Sequence, residues 1–251
     1  MKKSSLLKIS LGLFLLFQTN YLFSQDSKGS LNVTTDIVNR FIWRGQNVGG
    51  SSVHVQPTLS YTKGGFEIGA WGTYGLSNDY AEVDEYAKLS VKGFTLQLTN
   101  YYDPITPGGD ATSTNPKFYN FDGKTTASVG EVSLSYKGPE TFPLSFTAGT
   151  FLYGNDHNYG YDVTKDANSK NYYSTYLELG YTVKAGGQNL DLFAGFTPSA
   201  GYYGNGAGFV NLGLKGYRTI KITNDFSLPV YASLITNPQA EKIYLVFGVT
   251  L

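Results

Sequence analysis

The segment Lys242-Ile243-Tyr244-Leu245-Val246-Phe247-Gly248-Val249-Thr250-Leu251, at the end of the chain, alternates without a break. Ile243, Leu245, Phe247, Val249 and Leu251 fall on one parity, and Lys242, Tyr244, Val246, Gly248 and Thr250 on the other. A period of two is that of a β-strand, and one wholly apolar face means that only one side of the strand meets water. The pattern recurs at 173–183, where Tyr173, Thr175, Leu177, Leu179, Tyr181 and Val183 share a parity, and at 53–61, where Val53, Val55, Pro57, Leu59 and Tyr61 do. After residue 25 no stretch repeats apolar residues at i, i+3, i+4 and i+7, so the sequence predicts an all-β fold.

Extending the rule along the chain predicts twelve strands, at 31–43, 53–62, 66–76, 81–91, 94–102, 125–136, 143–153, 172–183, 189–198, 209–222, 226–236 and 241–251. The connections alternate in length: short turns such as Lys92-Gly93 lie on one side, and mostly longer segments, among them 103–124 and 154–171, on the other, with 77–80 and 237–240 as short exceptions. An even number of strands with turns at one end and loops at the other predicts a transmembrane antiparallel up-and-down β-barrel. A soluble sandwich is the alternative, but its strands are usually five or six residues long, whereas about ten residues suit a tilted membrane-spanning strand. Aromatics on the apolar parity form two sets. Phe41, Trp43, Tyr74, Tyr102 and Tyr173 lie near the loop ends, and Tyr61, Phe66, Phe94, Tyr136, Tyr181 and Phe226 near the turns, as two bilayer interfaces would favour. Glu85 and Arg218 fall on the apolar parity, so a bulge or an interfacial position is expected for them.

Composition narrows the classes of function. The 251 residues include no cysteine, which excludes disulfides, thiolate metal sites and a cysteine nucleophile. Nineteen basic side chains balance nineteen acidic ones, which argues against a basic nucleic-acid surface. Residues 1–24 combine Lys2, Lys3 and Lys8 with an apolar run from Ile9 to Phe17, the pattern of a secretory signal peptide cleaved near Ser24. Residues 25–251 then form one barrel domain.

The segment Asn39-Arg40-Phe41-Ile42-Trp43-Arg44-Gly45-Gln46 resembles a signature of a family of bacterial outer-membrane β-barrel porins. Two further stretches agree: 55–61 followed by Gly69-Ala70-Trp71-Gly72, and Asn237-Pro238-Gln239-Ala240-Glu241-Lys242 before the last strand. The resemblance spans nearly all of 25–251 and implies a Gram-negative outer-membrane location and a transport role. It supplies no catalytic residues and no cofactor. Leu251 departs from the terminal aromatic common in such barrels. Outer-membrane lipid and lipopolysaccharide, the barrel assembly machinery and small solutes are the partners such a barrel implies.

Taking the apolar parity as outward puts Asp36, Glu67, Glu82, Asp84, Glu131, Glu178 and Asp191 inside, with Arg40, Lys88, Lys215 and Lys221. Acids exceed bases by three, so a hydrated lumen would favour cations weakly. Trp71, Tyr86, Tyr101, Tyr176 and Phe193, with Tyr217 and Tyr231, are bulky enough to narrow it. Passive passage of small hydrophilic solutes is the favoured expectation. A closed barrel whose loops at 103–124 and 154–171 bind a ligand or surface is the second. An outer-membrane hydrolase is a distant third, since Ser52 and His54 share a face without the spacing of a known couple, and His157 follows Asp156 in a loop. Asp156, Asn158, Gly160, Asp162 and Asp166 are spaced like calcium ligands, but position twelve is Ala167, so no metal site is expected.

Overall fold

The computed structural model describes residues 28–77, 80–105, 117–156 and 170–251. The predicted signal segment, His157 and the calcium-like spacing after Asp156 lie outside these residues.

Among the described residues fourteen strands follow one another: β1 (Ser30–Val38), β2 (Ile42–Trp43), β3 (Gln46–Asn47), β4 (His54–Lys63), β5 (Phe66–Gly75), β6 (Ala81–Val91), β7 (Phe94–Ile105), β8 (Ser128–Lys137), β9 (Leu144–Gly154), β10 (Thr175–Ala185), β11 (Gln188–Thr197), β12 (Gly208–Lys221), β13 (Ser227–Asn237) and β14 (Lys242–Thr250). β1 and β4–β14 form a closed twelve-stranded antiparallel barrel in which sequential strands are neighbours, and β2 and β3 form a separate hairpin. Closure runs through Asp36↔Thr250, Ile37↔Val249 and Val38↔Gly248. It is extended by reciprocal backbone bonds between Thr35 and Leu251 at 3.0 and 2.9 Å. The turn at Lys92-Gly93 has positive φ at both residues (50° and 85°), the geometry that lets two residues reverse twisted strands.

The faces are inverted relative to a water-soluble barrel. Leu59, Ile68, Leu98, Leu179, Leu245 and Phe247 are each half exposed or more, while Gln56, Ser60, Thr73, Glu82, Thr99, Glu131 and Ser233 are buried. Apolar residues therefore cover the outside and polar ones line the lumen, as the alternation predicts. Inside, large side chains lie over glycines on the next strand. Tyr86 faces Gly69, Phe193 faces Gly213 and Tyr231 faces Gly248, and a Cβ on any of these glycines would come within 2.6 Å of the ring or its hydroxyl. Pairing large with small residues fits the wall's inner face.

Three departures from the sequence expectation matter. β1 ends at Val38 rather than at 43, because the Asn39 side chain takes over the pairing with β14: its amide accepts from Phe247 N at 2.9 Å and donates to Leu245 O at 3.3 Å. The chain then turns inward, so Phe41 and Trp43 do not belong to the outer girdle. Phe41 packs within the lumen on Trp71 (ring centroids 5.3 Å apart) and Trp43 on Tyr101 (5.2 Å). Glu85 and Arg218 keep the outer parity. The register shifts lie at 81/83, 130/131 and 195/196, and none displaces them. Instead Asn100 of β7 donates to Glu85 at 2.9 Å, and Arg218 is exposed in the turn-side part of β12.

Candidate functional site in the barrel lumen

Residues 39–53 enter the lumen from the loop end and return to β4. The β2–β3 hairpin turns at Arg44 and Gly45, both with positive φ (49° and 80°). A Cβ on Gly45 would lie 1.9 Å from the Val210 carbonyl oxygen of β12, so only glycine fits this approach. Asn237 of β13 donates to Gly45 O at 3.2 Å, and Gln46 donates to Tyr203 O at 2.8 Å.

The hairpin presents Arg44 to the far wall. Its guanidinium grips Glu131 of β8 with two nitrogens, the Nη2–Oε1 bond measuring 2.8 Å, and Nη1 donates to Tyr203 Oη at 2.5 Å. It also stacks on Trp43 at 4.5 Å and Tyr176 at 4.9 Å. The Glu131 carboxylate is buried, 1% exposed, and sits over Gly149, where a Cβ would come within 2.9 Å. Tyr101 donates to the same carboxylate at 3.3 Å. Burial acts to lower the Arg44 pKa, but Tyr203 and Glu131 outweigh it and hold the group above its ordinary value. Burial raises the Tyr203 hydroxyl well above the tyrosine range, with Arg44 opposing, so it stays neutral while accepting from Arg44. Around this pair Phe151, Tyr176, Tyr203 and Val210 form an apolar cluster, with Trp43, Tyr101 and Val129 against it.

His54 fastens the returning arm. It is fully buried, with Nε2 2.8 Å from Gly49 O and Nδ1 2.9 Å from Thr73 Oγ1. The carbonyl requires Nε2 to carry the proton, so Nε2 is not free to take one from Ser52, whose Oγ lies 3.4 Å away. Among the described residues no carboxylate is bonded to the ring. The arrangement suits a structural clamp, not the nucleophile–base couple considered from sequence. Asp156 is likewise engaged, accepting from Ser174 N at 2.8 Å and Ser174 Oγ at 2.5 Å.

The inserted hairpin leaves two cavities. The first, about 840 Å³, is lined from Asn47, Gly50 and Asp156 at the loop end to Lys88 and Gln97 near the turns, along the inner face of β4–β9. The second, about 1480 Å³, opens at the turn end between Asp36, Glu178, Asp191, Lys215 and Tyr231.

The structure places most of the predicted lumen charges inside. Asp36 accepts from Thr250 at 2.6 Å. Glu67 accepts from Tyr86 at 2.7 Å and from Lys88 at 3.2 Å. Glu82 accepts from Tyr80 at 2.7 Å, and burial with that bond keeps the Tyr80 hydroxyl far above its ordinary range. Asp84 lines the same cavity. Glu178 is held by Tyr176 and by Asn211 at 3.1 Å, and Asp191 by Thr182 at 2.6 Å and Tyr217 at 2.9 Å. Lys215 lies over the Tyr231 ring at 3.9 Å. Lys221 is exposed at the end of β12. Arg40 lines neither cavity, because β1 has already ended; its guanidinium rests 5.7 Å from the Tyr244 ring.

The expected constriction is divided. Trp71, Tyr86 and Tyr101 face the first cavity and Phe193 the second, while Tyr176 is buried beside Arg44. The lumen is filled instead by Trp43, Phe151, Tyr202 and Tyr203, which the sequence reading did not place there. It also passed over Arg44 and Asp103. With these two added, and with Arg40 and Lys221 set aside as lining neither cavity, acids still outnumber bases among the described lumen residues. In the sequence, the turn-favouring Gly45 directly after Phe41-Ile42-Trp43-Arg44 is the available signal for a reversal at this point. Two sequence stretches far apart in the chain also meet here: Asn237 donates to Gly45 O beside Arg44 and Gln46, and Gln239 accepts from Asn205 N at 3.1 Å and donates to Gly206 O at 3.0 Å. In comparisons with known proteins, no family model, curated protein or solved structure matches the chain.

Proposed function

We propose that the chain is a Gram-negative outer-membrane barrel that passes small hydrophilic solutes passively, with a weak preference for cations. Its signal segment at 1–24 would direct export, its apolar outer face would meet lipid, and its turns would face the periplasm. The observation that carries the reading is the cavity that runs past the inserted hairpin, from Asp156 at one end to Lys88 and Gln97 near the other. A barrel sealed by its own loop would not need a polar wall on that side. The excess of acids over bases supports the cation preference, since charges behind low-dielectric walls act strongly on ions in a narrow space. The resemblance of 39–46 and 237–242 to outer-membrane porins agrees with it.

The latch of Arg44 on Glu131 favours a second reading, a barrel closed at rest whose outer loops bind a ligand. Recording from purified protein in planar bilayers separates the two. Steady ion conductance with a cation-favouring reversal potential supports passage. Absence of conductance from a preparation with the heat-modifiable gel migration of a folded barrel would overturn it.

A further inference from the structure

The segment Lys117-Phe118-Tyr119-Asn120-Phe121-Asp122-Gly123-Lys124-Thr125 precedes β8 at the loop end and is docked on the outside of the barrel by two tyrosines. Phe118 packs edge-on against Tyr102 of β7, with ring centroids 5.3 Å apart, and Tyr102 has the outward parity of Leu96 and Leu98. The second attachment depends on a bulge. Gly130 pairs with Tyr153 but Glu131 with Phe151, so Leu152 is the extra residue and the parity of β9 reverses there. Tyr153 therefore points outward, although Phe151 is buried in the lumen. Its hydroxyl donates to the Phe121 carbonyl, and a Cβ on Gly123 would come within 3.2 Å of its ring. The segment is also braced from within: Asn120 N donates to Lys117 O at 2.9 Å, and Asp122 accepts from Lys124 N at 3.0 Å.

Held in this way, the segment turns two rings away from the protein. Tyr119 is 81% and Phe121 74% exposed, and no large apolar side chain among the described residues is more exposed. Through Tyr102 and Tyr153 they adjoin the loop-side edge of the outer apolar band, where Leu152 is exposed as well. An exposed apolar patch bordered by charge marks an interaction surface. Lys117 and Lys124, both exposed, outnumber the one acid of the segment, Asp122. Rings at the edge of an apolar band with ammonium groups beside them match the headgroup layer of a bilayer, where rings sit between hydrocarbon and water and lysines meet phosphates.

We infer that residues 117–125 form an interfacial anchor in the loop-side leaflet, with Tyr119 and Phe121 at the hydrocarbon boundary and Lys117 and Lys124 on lipid phosphates. The inference rests on the proposal that the outer wall meets lipid, and it assigns one loop a lipid partner of its own.

The chain has no cysteine, so a single introduced one can be labelled without background. Tyr119→Cys and Phe121→Cys remove side chains that none of the bonds described above needs, and Leu179→Cys places a reference on the outer face of β10. Each is labelled with an NBD fluorophore and refolded into phosphatidylcholine vesicles that carry spin-labelled lipid. At the two loop positions a spin label near the headgroup should quench more than one near the chain end, and aqueous iodide should quench weakly. At the reference position the chain-end label should quench more. Lipid quenching at the reference but at neither loop position would overturn the anchor and leave the lipid-facing wall standing. Its absence at all three would overturn both. Shielding of the loop positions from iodide without lipid quenching would overturn the anchor in favour of a protein contact, such as a second copy of the chain. Adding phosphatidylglycerol should deepen the headgroup quenching at the loop positions, and Lys117→Gln with Lys124→Gln should abolish that gain. No gain with the lysines in place would overturn the contact with phosphates.

Discussion

The contact between Arg44 and Glu131 should behave as a coupled unit, and its removal can be scaled from the structure. Arg44→Ala deletes the two-nitrogen grip on Glu131, the bond to Tyr203 and the stacking on Trp43 and Tyr176, and leaves a carboxylate of 1% exposure with Tyr101 as its remaining partner described here. Breaking a buried ion pair from one side costs about 3–5 kcal/mol, because the surviving charge is uncompensated. Little of this should fall on the barrel wall, whose ladders do not involve Arg44. It should fall on the attachment of 39–53, so a loss of ~3 kcal/mol would raise the detached population about 150-fold. Trypsin is the first assay: cleavage after Arg40 should be slow in the unmodified folded protein and faster in Arg44→Ala. Single-channel conductance should rise with it. Glu131→Gln alone should cost less, since glutamine still accepts a hydrogen bond, and the double variant should be milder than the sum of the two by at least about 1.5 kcal/mol. Effects that add to within about 0.5 kcal/mol, with unchanged trypsin sensitivity and conductance in Arg44→Ala, would refute the latch.

Gly45→Ala, which changes no charge, should reproduce the Arg44→Ala proteolysis pattern, because its Cβ would lie 1.9 Å from Val210 O at a φ of 80°; unchanged protection would contradict the tight approach. Leu179→Arg, on the outer face and 53% exposed to the surroundings, should cost about 2–4 kcal/mol in refolding into lipid bilayers if that face meets the bilayer midplane, and an unaffected variant would argue against membrane burial of β10. Asp36→Asn with Asp191→Asn, in the larger cavity beside Lys215, should shift the reversal potential toward anions, more at low salt than at high; no shift at either salt would remove the larger cavity from the ion path.

Alternation along the strands made the barrel legible before any coordinates, because each strand separates an apolar from a polar environment and every side chain reports on its face. All twelve predicted wall strands occur, and most boundaries agree within a few residues. The reading failed where the chain stopped obeying the period for a local reason. Phe41 and Trp43 continue the apolar parity of β1, yet the Asn39 amide has already ended the strand three residues earlier. Nothing in a period-two pattern distinguishes an aromatic facing lipid from one folded back into a lumen. Arg44 was passed over for the same reason: its partner Glu131 lies 87 residues away on the far wall, and sequence spacing carries no signal for contact across a barrel. The charges that remain on a strand, such as Glu67 and Lys88, are legible from their inward parity alone, and the structure adds that strand pairing sets these two opposite each other.

The inward hairpin follows from the size of the barrel. Eight strands enclose a space that inward side chains can fill, whereas larger barrels need either water or an inserted segment. Here the two ends are treated differently. At the turn end the wall of the larger cavity includes Ser145, Gly180 and Thr182, side chains too short to meet across the lumen, and the space stays wide. At the loop end Trp43, Phe151, Tyr176 and Tyr203 crowd around a single arginine, and the open space shifts against β4–β9. A solute entering from the loop end would therefore meet its narrowest and most discriminating surroundings first, between the hairpin and the β4–β9 wall, and reach the wide vestibule only afterwards. Selectivity should then depend more on residues facing the smaller cavity than on the larger number of charges lining the vestibule.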